Sequence, residues 1–157
     1  MLIRRLARPL LAGVFVTGGI DALRNPEQKA NVASDPVEGT AEKFDVEPPA
    51  TELLVKVNGG AMLGAGLMLS VGKLPRLSSL VLAGTLVPTT LAGHRFWEES
   101  DPQKRAQQQI HFMKNVGLLG GLILAAVDTG GKPDLAWRAK QAGHRIAGAA
   151  PSLPSSS

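Results

Sequence analysis

Seven side chains in this sequence combine charge, proton chemistry or amide hydrogen bonding with apolar surroundings: Asp21, Lys56, Asn58, His94, His111, Lys114 and Asn115. Each lies near the end of an apolar run, where an unpaired charge is costly and polar groups turn toward one another. One acid with two lysines suits an internal ion pair, and Asp21 with Lys114 or Lys56 is the pairing expected. Lys and His donors at the top of an apolar cleft also suit a carbonyl-bearing ligand such as a quinone, or a lipid. Plainer uses stand beside these. Lys56 and Lys114 could snorkel to headgroups on their own stems, His94 fits a membrane interface, and Asn115 could bond a neighbouring helix.

Other chemistries find less support. Two histidines at similar depth invite a haem, but His94 lies outside the apolar zone and nothing else points to that cofactor. A metal would lack a third strong ligand beyond Asp21. Cysteine is absent, which excludes disulfides, thiolate ligands and cysteine-based sulfur transfer. Ser70, Ser78 and Ser79 are expected on the opposite side from both histidines, so a Ser/His/Asp triad is not available. The glycine clusters sit in apolar helices without the strand and lysine of a phosphate loop. With no catalytic motif found, the reading leans away from an enzyme. Four Phe, two Trp and no Tyr leave little for base stacking, so the net charge of +4 does not imply nucleic acid.

The element that must position these residues is the stretch Gln107–Asp128. From Val116 to Val127 it holds no charge and no proline. Ile110–Val127 alone, at roughly 1.5 Å per residue, reaches about 27 Å, close to the hydrocarbon thickness of a bilayer. A soluble core helix would keep a polar face along its length. Here the polar groups His111, Lys114 and Asn115 gather at one end, as in a span with its polar groups in one leaflet. Three further apolar runs accompany it, at about residues 6–23, 52–71 and 77–93. Mean hydropathy is only +0.07 because polar connections dilute them. The first run follows Arg4, Arg5 and Arg8, lacks a small-x-small cleavage site and closes at Arg24-Asn25-Pro26, so it is read as an uncleaved span rather than a signal peptide. Gly13, Gly18 and Gly19 allow close helix contact in it, and Gly60 and Gly64 form a Gly-x-x-x-Gly pair in the second. Pro88 is expected to kink the third, with Thr85, Thr89 or Thr90 re-satisfying the freed carbonyl.

Between the spans, Asn25–Thr51 is acidic, carries Pro26, Pro36, Pro48 and Pro49, and reads as a long extramembrane loop with at most a short helical piece around Gly39–Phe44. Gly72–Arg76 is a tight basic hairpin connection. The fold class expected is all-α, an antiparallel four-helix transmembrane bundle with a long extracytoplasmic first loop. Residues 1–130 form its membrane domain, and residues 131–157 a basic amphipathic segment (Asp134–Ala147) and a disordered tail. Arg4, Arg5, Arg8, Lys73, Arg76 and four basic residues after Gly131 fall on one side. The other side's basic groups are balanced by Glu27, Asp35, Glu38, Glu42 and further acids. Both termini should therefore be cytoplasmic, the protein being multi-pass in a plasma membrane. Threading the spans brings all seven polar residues to the outer depth.

These residues also carry a resemblance. Arg8–Pro26, Val57-Asn58-Gly59-Gly60, His111–Asn115 and Gly120-Gly121-Leu122, with the topology, resemble the bacterial DoxX family of small four-span membrane proteins. The resemblance implies a place in the bacterial inner membrane and an accessory role beside redox enzymes, relatives being associated with thiosulfate:quinone oxidoreduction. It also marks Asp21, Lys114 and Asn115 as polar residues of the bundle. The leading expectation is a non-catalytic scaffold that docks redox or stress-response enzymes. Its competitors are a quinone-binding subunit and a small-molecule or lipid carrier. Beyond the bilayer itself, a homo-oligomer is compatible with the sequence, and no cofactor other than a quinone is suggested.

Overall fold

The computed structural model describes residues 2–45, 50–128 and 141. The chain divides into two units, Met1–Val127 and Asp128–Ser157. Of the second only Asp128 and Gln141 are described, so the expected basic segment Asp134–Ala147 and the tail lie outside the described residues but for Gln141. The first unit is helical: α1 (Leu2–Arg24), α2 (Pro26–Lys43), α3 (Thr51–Ser70), α4 (Pro75–Gly93) and α5 (Pro102–Val127). The described residues contain no strand. Among the described residues, α1, α3 and α5 are long and apolar enough to cross a membrane.

The loop expectation for Asn25–Thr51 is corrected by α2, which occupies 18 of those residues. Pro26 opens it at a position where no intrahelical N–H is needed. Its inward face is Ala30, Ala33, Ser34, Val37 and Ala41, with Ala41 buried. That spacing is helical, but the residues are too small to stand out as an apolar stripe. Glu27, Asp35, Glu38 and Glu42 occupy the exposed positions, and α2 packs on α3, α4 and the end of α1.

The tightest packing joins α1 to α3. A Cβ on Gly19 would stand 2.7 Å from the Gly59 carbonyl oxygen, and one on Gly59 2.9 Å from the Ala22 Cβ. Further along, a Cβ on Gly66 would meet Val16 at 2.9 Å. The end of α1 therefore lies against the start of α3, and glycine is required where the backbones touch. The expected seam at Gly60 and Gly64 is a correction, since a Cβ on either meets nothing within 4 Å. Gly13 is likewise open, whereas Gly18 sits against Met62. Gly60 is one residue from Gly59 and Gly64 two from Gly66, and at 100° per residue that turns them away from α1.

The α3–α4 connection is short because α3 ends in a glycine-dependent turn. Gly72 has φ +74°, its N–H bonds the Leu69 carbonyl, and the Lys73 N–H reaches back to Met68. The core comprises Ala12, Phe15, Met62, Ala65, Leu69, Leu82, Leu86 and Leu122. Buried with it are Ser78, Ser79, Thr85, Thr90 and Asn115, while Leu10, Leu53, Leu80, Ile110 and Leu124 are among the large apolar side chains left exposed. Polar groups inside and large aliphatic groups outside are what a lipid solvent favours and water does not.

Candidate functional site

Among the described residues, the last turns of α4 make side-chain hydrogen bonds to both α3 and α5. Thr89 and Thr90 are adjacent in sequence, so their side chains leave α4 about 100° apart. Each meets an asparagine of a different helix. The Asn58 amide on α3 donates to the Thr89 hydroxyl at 3.0 Å and lies 3.5 Å from the Met62 sulfur. The Asn115 amide on α5 donates to the Thr90 hydroxyl, also at 3.0 Å. Both threonines pass the bond on to their own helix, Thr89 to the Thr85 carbonyl and Thr90 to that of Leu86, each at 2.7 Å. Thr85 itself bonds the Leu82 carbonyl. Pro88 lies inside α4, and its missing N–H leaves the Gly84 carbonyl. The threonines bond other carbonyls than that one, which corrects the role expected for them.

One turn beyond, His94 caps the end of α4. Its Nδ1 lies 2.7 Å from the Gln108 side-chain oxygen on α5, and its ring stacks on His111 with centroids 5.2 Å apart and planes 19° from parallel. Phe96, Trp97 and Phe112 form an edge-to-face cluster alongside, with centroids 5.2–5.9 Å apart. The Arg95 guanidinium pairs with Glu98 at 2.9 Å in the same connection. Nothing in the spacing of the Gln107–Gln109 run singles out Gln108 as the histidine's partner.

Of the seven residues expected at this end, Asn58, His94, His111 and Asn115 gather around the end of α4. Asp21, Lys56 and Lys114 do not join them, and the expected pairing of Asp21 with Lys114 or Lys56 is not made. Asp21 instead accepts from Asn25 at 2.8 Å and pairs with Lys29 of α2 at 2.7 Å. Lys56 pairs with Glu52 one turn earlier on α3. Lys114 is exposed on α5 and makes no ion pair among the described residues. The reason is local: a partner one turn away, or on the helix that begins five residues later, costs less chain ordering than one across the bundle. All the same, Ala22 meets Gly59, Asn58 meets Thr89 and Thr90 meets Asn115, so these groups share one end of the molecule. Among the described residues no three His, Asp or Glu side chains are placed to hold a metal ion.

The stretch that contains α1, α2, α3, α4 and His94 also carries the family signature. The DoxX family model matches residues 3–95, well over half of the chain. This chain belongs to the DoxX family. The match ends after His94, so α5, which supplies Gln108, His111 and Asn115, lies beyond it. No curated protein and no solved structure matches this DoxX chain. Family and apolar helices together make it a membrane protein.

Proposed function

We propose that this DoxX protein is a non-catalytic membrane component that supports redox or stress-response enzymes in a bacterial plasma membrane. In this reading α4 is the fourth crossing beside α1, α3 and α5, and both termini are cytoplasmic. The observation that carries it is how the internal polar groups are used. Asn58 and Asn115 are each taken up by a threonine of α4, and His94 by Gln108. Such bonds lock helices to one another in lipid and hold an exposed surface in a fixed shape. The acidic outer face of α2 (Asp35, Glu38, Glu42) then offers the contact to an extramembrane partner. Crosslinking in intact membranes tests this. A reproducible redox enzyme crosslinked through α2 is the expected result, and crosslinks to lipid and to copies of the chain alone would overturn it.

A second reading rests on a different observation. The ring nitrogens of His111 make no hydrogen bond among the described residues, and its ring is stacked on His94. A stacked imidazole with donor capacity suits a planar dicarbonyl such as a quinone. Stoichiometric quinone retained on purification, and lost in His111→Ala, would favour that subunit role over the scaffold.

A further inference from the structure

We propose that the opposite end of the bundle, made by the start of α1 and the α3–α4 turn, binds the headgroup of an anionic phospholipid. Arg4, Arg5 and Arg8 lie in the first two turns of α1, and Lys73 and Arg76 flank the turn into α4. The two segments form one patch, because the Arg8 guanidinium reaches over the turn: a Cβ on Gly72 would stand 3.2 Å from its Nη1. The turn is stiff. Gly72 and Leu74 both hold positive φ, and Ser78 and Ser79 bond the Lys73 and Pro75 carbonyls.

Charge placement is what points to an anion. Two helices begin here, and the first turn of neither carries an acidic residue. A helix N-terminus bears partial positive charge, so arginines and a lysine set beside two such termini concentrate positive charge at this end and favour phosphate there. Arg4, Arg8 and Arg76 also interact within the chain. A guanidinium has five N–H donors, so such a partner leaves capacity for phosphate oxygens. Leu2, Ile3, Leu6, Val71, Leu74 and Leu77 are exposed between the basic groups. That mixture matches a surface whose phosphates and acyl chains lie side by side, and it does not match a soluble anion. In a membrane protein, phospholipid is the occupant with both parts.

The full-length protein reconstituted in nanodiscs tests this by thermal unfolding and by native mass spectrometry of retained lipid. Phosphatidylglycerol is expected to be retained over phosphatidylcholine and to raise the unfolding temperature. Arg5→Gln and Lys73→Gln should each weaken that preference about fivefold, the usual effect of one basic group at a lipid surface. The α2 variants Lys29→Gln and Lys43→Gln should leave it unchanged. Equal retention of both lipids by the unmodified protein would overturn the proposal whatever the variants do. So would equal losses from the α2 variants, or displacement of the lipid by millimolar inorganic phosphate.

Discussion

Asn115 is the buried polar residue that most directly ties two helices, 6% exposed and bonded to Thr90. Replacing it by Ala should cost about 0.5–2 kcal/mol, the range for interhelical hydrogen bonds in membranes. A double-mutant cycle of Asn115→Ala with Thr90→Ala should give a coupling of about 0.5–1.5 kcal/mol in reversible unfolding. The same cycle on Asp21 and Lys114 should be additive, because each has its own surroundings. Asp21 with Lys29 should couple by only about 0.2–1 kcal/mol, since both side chains are near half exposed. Residue types gave these groups away as polar residues at one end of the bundle. Their partners were not legible, since Asp21 has lysines on three helices to choose from and only proximity selects Lys29.

Element pairing carries a sharper expectation. Gly19→Leu puts side-chain atoms where the Gly59 carbonyl already stands, so α1 and α3 must separate. Overpacking of this kind costs about 1–3 kcal/mol and more where backbone is struck. Gly60→Ala and Gly64→Ala should leave the unfolding temperature in detergent within a degree or two, as nothing faces them. That contrast separates the contacting glycines from those that merely satisfy a motif. For α2, Ala41→Glu should detach its C-terminal half from the bundle, read as faster amide hydrogen exchange over residues 37–43 with α3 and α5 unchanged. The α2 helix was hidden in the sequence because its inward face is alanine and serine. An interface of small residues buries little apolar surface and leaves a weak periodic signal.

For the whole molecule, the absence of cysteine makes topology directly measurable. Single cysteines replacing Glu38, Lys73 and Gln103 should label from outside, inside and outside respectively. If α4 does not cross, Lys73 and Gln103 will label from the same side. The anchoring helices α1, α3 and α5 were legible because a bilayer demands long uninterrupted apolar runs, and a run of that kind is a property of composition alone. Pro75 and Arg76 at the start of α4, with Pro88 inside it, make its run less clean. Its place comes from the short α3–α4 turn and from the asparagines that grip its end.

The sequence by itself determined a helical membrane protein of the DoxX kind with its polar groups weighted to one end, because hydropathy, glycine content and charge sidedness are additive along the chain. Only the tertiary structure decided which groups meet: Asn58 and Asn115 on adjacent threonines, His94 on His111, Asp21 on α2, and Gly59 rather than Gly60 at the seam. Contact depends on helix rotation, where one residue is 100°, and no composition or motif specifies a rotation until the neighbouring surface is in place.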